Sequence, residues 1–275
     1  MLDLLDYGFM QRALLAAAMF GPIAPVVGIF LVQRRMALLG DGMGHIATTG
    51  IGLALLLGSA PIPTAMLVAA AGALLVEFIR ERSRTAGDLA LALIFYGGIA
   101  GGVMLVSLAG NQATSVLNSY LFGSLSTVST TDLWSLAVLV VLLVAAVVVF
   151  GRELFVVAMD PDVAAVQGID VRWMSRLIAV MAAVTVVVGM QVVGLLMVSA
   201  MMIVPVAAAQ QVTRSFRSTL GVAIVIGLAA AVAGLVISFN VDVPPGPTIV
   251  LLALATFGLV AGLAAPLRRR ASRSA

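Results

Sequence analysis

The chain has 275 residues, 62% of them hydrophobic and 10% charged, where an ordinary soluble domain carries about 25% charged residues. Apolar runs near the ~20 residues needed to cross ~30 Å of hydrocarbon recur from end to end, which excludes a soluble protein and predicts one polytopic membrane domain over residues 1–275. All 15 basic residues are arginine and cysteine is absent, which speaks against a nucleic-acid surface and excludes disulfides, thiolate metal sites and cysteine nucleophiles.

Taken in chain order, Met1 to Arg12 carries Asp3 and Asp6 and lacks the basic leader and small-residue cleavage site of a secretory signal. The first apolar run is therefore expected to stay as a helix. Spans are expected near 13–33, 45–60, 63–80, 88–109, 133–150, 176–192, 193–212, 219–239 and 247–265, an all-α bundle of nine spans with eight as the rival count. The stretch 176–212 has to be cut near Met190-Gln191, and 117–130 also reads as a re-entrant segment.

With nine spans, Arg34-Arg35, Arg80 to Arg84, Arg152, Arg172 with Arg176, Arg214 with Arg217, and Arg268 to Arg273 all fall on one side. Short cytoplasmic loops collect arginine, so this predicts an outside N-terminus and a cytoplasmic C-terminus, with Arg12 alone on the other side. Gly97, Gly98, Gly101 and Gly102 form overlapping GxxxG pairs on the fourth span, a spacing that lets helix backbones approach in lipid. Pro22, Pro25 and Pro205 interrupt spans, either as kinks or as the wall of a water-filled path.

The most informative stretch runs from Arg34 to His45 and contains Gly40, Asp41, Gly42, Gly44 and the only histidine of the chain. Asp41 and His45 are four apart; on a helix that spacing places a carboxylate and an imidazole on one face, one turn apart, where they can share a cation, while Gly40, Gly42 and Gly44 read equally as an unwound segment. Ionisable groups at membrane depth are costly and face a cavity or a partner. The same residues also read as a helix cap and a packing histidine. Two ligands do not close a tight tetrahedral zinc site, but an incomplete site suits conduction, where an ion must also leave.

The longest non-spanning segment, 151–175, lies on the arginine side. Asp160 before Pro161 suits an N-cap, Pro161 the first helical position, and Gly168 a left-handed stop, predicting a short helix over 161–167. It reads either as a connector or as a docking helix.

On these residues, together with Gly50, the run Tyr120-Leu121-Phe122-Gly123-Ser124 and the run Val193 to Pro205, the chain resembles the zinc and manganese permease family of ATP-binding-cassette importers over nearly its whole length. The resemblance implies a permease fold of the type II importer kind, with eight or nine spans. It implies Asp41 and His45 as the metal-contacting pair, and Asp160, Ala164 and Gly168 within an ATPase-coupling segment about 151–175. It implies a transporter subunit rather than an enzyme, in the cell membrane, with no permanently bound cofactor and with zinc or manganese as cargo. The implied partners are a separate ATPase, an extracytoplasmic metal-binding protein and a second permease copy. One departure is Gly44, where the family usually has serine before the histidine.

The imidazole favours zinc ahead of manganese. A proton- or sodium-coupled carrier using Asp41 and His45 as a relay is the alternative. The chain contains no GxxxxGK[ST] loop, so ATP hydrolysis would belong to a partner. Lesser expectations are a Glu77–Arg80 ion pair, Asp88 as the cap of the fourth span, Met190, Met197, Met201 and Met202 as packing, and Asp242 in a solvated outer loop.

Overall fold

A computed structural model describes residues 6–82, 87–123 and 128–271. Eleven helices follow in order: α1 (Gly8–Gln33), α2 (Leu39–Leu57), α3 (Pro61–Arg82), α4 (Gly87–Leu108), α5 (Asn111–Phe122), α6 (Thr130–Met159), α7 (Pro161–Val166), α8 (Val171–Val193), α9 (Leu195–Val212), α10 (Phe216–Val241) and α11 (Pro245–Ala271). Eight of them are long and apolar enough to cross a membrane. The ninth long helix, α2, has 19 residues but is diluted by Asp41, His45 and its glycines. All nine sequence spans fall on these nine helices. In lipid every backbone amide must find a partner within the segment, which leaves helices as the only form such runs can take here.

Among the described residues, arginines of several clusters, including Arg34, Arg80 and Arg176, gather at one end of the bundle. There the last turn of α3 meets the end of α1 through Arg34 and Glu77, 3.2 Å apart, and the start of α8 through Arg176 and Glu81, 3.0 Å apart. Phe216, opening α10, packs its ring against Phe30 near the end of α1 and Phe155 near the end of α6. At the opposite end Tyr7 and Phe9 meet Phe239, and Arg12 donates to the Val128 carbonyl at 2.8 Å. That bond gives the one outlying arginine a fixed partner.

The expected Glu77–Arg80 pair forms at 3.0 Å, but Glu77 is buried and also holds Arg34, and Arg80 reaches the Met36 sulfur at 2.8 Å. Burial lowers the pKa of the Arg34 guanidinium, the Glu77 carboxylate opposing the shift. The cluster ties the turn between α1 and α2, where Arg35 takes a left-handed conformation with φ 57°, to α3.

Several boundaries differ from the sequence reading. The cut in 176–212 falls at Gly194, not at Met190-Gln191, and α8 begins at Val171 because Asp170 caps it through the Trp173 amide at 3.0 Å. Gly194 breaks the chain with φ +86°, a region that glycine enters without steric cost. Helix α6 runs nine residues past the expected end at 150, to Met159. At 1.5 Å per residue its 30 residues span about 45 Å, more than a hydrocarbon core. Residues 117–122 lie in α5, while 124–127, with Ser124, and the side chain of Asp88 lie outside the described residues. The four methionines are buried as packing residues.

Candidate metal site

Helix α2 is held in the middle of the bundle, against α3, α4, α8 and α9. Its glycines and those of α4 make this possible. A Cβ on Gly98 would lie 2.8 Å from the His45 carbonyl carbon, and one on Gly102 would lie 2.7 Å from the Thr48 hydroxyl. Thr49 donates to the Gly98 carbonyl at 2.7 Å, and Thr48 to the His45 carbonyl at 2.7 Å. The GxxxG spacing thus does what its pattern suggests: it brings the α4 backbone against the α2 backbone at the histidine.

Asp41 and His45 do lie on one face, with Oδ2 and Nε2 4.0 Å apart. That is too long for a hydrogen bond and short enough for one cation, about 2.1 Å from each donor, to bridge them. The side chains are 35% and 24% exposed respectively, so each keeps an open side. The Phe95 ring stands edge-on to the imidazole with centroids 4.7 Å apart, fixing the plane of the ring. Asp41 opens on a cavity of about 250 Å³ whose other walls are Leu38, Leu91, Ala92, Phe95 and Tyr96. Apart from Tyr96, the wall offers nothing that competes for the carboxylate. Asp41 does sit in the first turn of α2, but no side-chain cap bond forms at the N-cap, Leu38.

Among the described residues no group of three or more His, Asp or Glu side chains comes together. The pair is thus an open two-donor arrangement, short of the donors that close a tight site. The Leu195 side chain at the start of α9 packs on Gly44, in the space a Cβ there would take. Sequence reasoning found the pair and the glycine spacing. It missed Phe95 and Leu195, because neither carries a signal until the helices are packed.

The arginine-side segment forms the short helix as expected, ending at Val166 rather than 167. Asp160 accepts from the amides of Asp162 and Val163 at 3.0 and 3.1 Å, Pro161 opens the helix, and Gly168 has φ +79°. Ala164 is fully buried against the bundle, whereas Val163 and Val166 are exposed, Val166 to 90%. Any partner on this face would touch those valines, two residues the sequence reading did not name. Asp242 takes a left-handed conformation at the end of α10, φ 57°, and is exposed at the arginine-poor end.

Fold and site together define a polytopic helical membrane protein with an acid and an imidazole poised on an interior helix. The chain belongs to the ABC 3 transport family, whose model matches residues 6–264. It is 33% identical over 258 residues to the manganese transport system membrane protein MntC of Halalkalibacterium halodurans, covering 94% of this chain and 88% of that protein. It is 28% identical to the high-affinity zinc uptake system membrane protein ZnuB of Haemophilus influenzae, covering 90% and 94%. Among solved structures it resembles PsaBC from Streptococcus pneumoniae in complex with Fab, with TM-score 0.83 and 28% identity over 94% of this chain and 92% of that one.

Proposed function

We propose that this chain is the membrane-spanning permease subunit of a divalent-metal importer. Asp41 and His45 contact the passing ion, a separate ATPase supplies the work, and an extracytoplasmic binding protein delivers the metal to a pair of permease copies. The whole of 1–275 acts as one permease domain with its C-terminus in the cytoplasm. The segment 151–175, with Asp160 and Gly168 shaping α7 and Ala164 anchoring it, is where the ATPase docks. The single observation behind the reading is the two-donor pair on α2, set beside membership in an ABC transport family. That membership removes the support for the proton- or sodium-driven alternative.

Within the divalent metals the reading places manganese ahead of zinc, reversing the order that the imidazole alone suggests. The chain has one histidine and no cysteine, so further donors from it are oxygens or thioethers, and oxygen-rich sets favour manganese. Relatives of both kinds exist, with manganese named for MntC and zinc for ZnuB.

The test is uptake of manganese and zinc by cells carrying the assembled transporter, at matched membrane levels of each variant. Asp41→Asn keeps a capping oxygen but loses the charge, and should lower uptake at least about tenfold, as loss of an ionised ligand weakens cation binding. His45→Ala should do the same, and the double variant should be hardly worse than either, because both groups act on one ion. Normal uptake by both single variants sinks the assignment. Stronger inhibition of manganese uptake by zinc than of zinc uptake by manganese reverses the order of the two metals.

A further inference from the structure

Arg12 is the one arginine among the described residues at the arginine-poor end of the bundle. Its Nε donates to the Val128 carbonyl at 2.8 Å, and no ion pair among the described residues includes it. A neutral carbonyl fixes the guanidinium without neutralising it. Asp132, four residues past that carbonyl, is engaged elsewhere: Oδ2 accepts from the Ser129 amide and hydroxyl, and Oδ1 from the side-chain amide of Gln191 on α8.

An apolar cleft of about 280 Å³ lies next to Arg12, between α1 and α6. Leu15 and Met19, three and seven residues past Arg12 and so on its face of α1, form one wall, and Thr130, Trp134 and Ala137 are on the other. Both helices start at the arginine-poor end, so the Arg12–Val128 bond and the Thr130 hydroxyl stand at the mouth. From there to Met19 the cleft runs inward by about 10 Å at 1.5 Å per residue. Trp134 is 73% exposed and also walls a second cleft, of about 450 Å³, on the other side of α6, where Met66 of α3 and Val188 of α8 line it. An indole this close to the start of a span belongs at the boundary between hydrocarbon and water.

An occupant that matches this arrangement is anionic at the boundary and apolar beneath it, on both sides of one indole. That is the pattern of a phospholipid with two acyl chains. A guanidinium takes a phosphate through two parallel hydrogen bonds, and basic pockets between spans bind lipid headgroups. We propose that Arg12 and the two clefts beside Trp134 form a binding site for an anionic diacyl phospholipid, with its phosphate on the Arg12 guanidinium near the Thr130 hydroxyl and one chain in each cleft. The lipid joins α1 to the start of α6, whose most apolar window is only 17% buried within the protein. It also gives the outlying arginine the charge partner that the described residues do not supply. The site stands or falls independently of metal transport.

The test uses the full-length chain with Trp173→Phe, which leaves Trp134 as its only indole. It is placed in phosphatidylcholine bilayers with a rising fraction of phosphatidylglycerol brominated on its acyl chains. Bromine quenches the indole on contact, so the quenching curve reports which lipid Trp134 prefers. Phosphatidylglycerol should be preferred about fivefold, the weight of one arginine beside a charged headgroup. Arg12→Gln should bring the two lipids to parity, and Arg12→Lys, which keeps the charge, should hold the preference. Ala137→Phe fills the smaller cleft and should lower the preference toward parity with Arg12 intact. No preference in the chain that keeps Arg12, or a preference that survives Arg12→Gln or Ala137→Phe, overturns the site. Absence of quenching by brominated lipid of either headgroup overturns it as well, since a second copy or another protein then covers Trp134. None of these outcomes bears on the importer reading, which is decided by uptake in Asp41→Asn.

Discussion

Helices α2 and α6 invert the rule of soluble proteins. Helix α6 has a mean hydropathy of 3.0, the highest of the spans, yet only 17% of its most apolar window is buried within the protein. Helix α2 carries an aspartate, a histidine and five glycines, and most of its residues are buried. In water the most apolar helix would be innermost. In lipid, hydrocarbon solvates Val and Leu as well as protein does, so the interior goes to segments that gain from close approach and from polar partners. Helix α6 is placed by its ends, a capping box of Ser129 and Asp132 at one and α7 at the other. Helix α2 is placed along its whole length.

The largest effect that would break this contrast is at the foot of α2. Glu77→Gln leaves the Arg34 guanidinium buried without its charge partner and should cost about 3–5 kcal/mol, seen as loss of folded protein in detergent melts. Little change there would mean that the turn before α2 is not pinned by charge. Next is Gly98→Ala, whose Cβ would meet the His45 backbone rather than a flexible side chain. Overpacking of this sort costs about 1–3 kcal/mol, and it should lower metal uptake along with the melting temperature. Gly97→Ala, with open space at its Cβ, is the matched control.

A smaller effect is expected at α7. Val166→Arg, on the exposed face, should leave stability unchanged while reducing transport-coupled ATP hydrolysis by the assembled complex. Unaltered coupling would make α7 a connector. The smallest is Val148→Ala on the lipid face of α6, exposed to 77%. It should shift neither melting nor uptake measurably, and a loss above about 1 kcal/mol would show that α6 is packed against a partner there.

Much of this was legible in the chain. The spans followed from run length and the α7 helix from Asp160, Pro161 and Gly168, because each depends on residues near one another. The break at Gly194 was misplaced by three or four residues, since hydropathy does not change there and only the backbone conformation does. Ala164 read as a contact for a partner and turned out to be buried, while Val166 beside it faces outward.

By itself the sequence determined which long apolar segments are helical, where several of them are capped, and that an acid and an imidazole sit four positions apart before the second span, all consequences of local backbone geometry and of the demand that amides in lipid be satisfied internally. Only the tertiary structure decided which helices are interior, that Phe95 and Gly98 frame His45, and that Asp132 meets Gln191 across 59 positions of chain. Apolar side chains carry no preference between lipid and protein, so nothing in their order along the chain specifies which faces will meet.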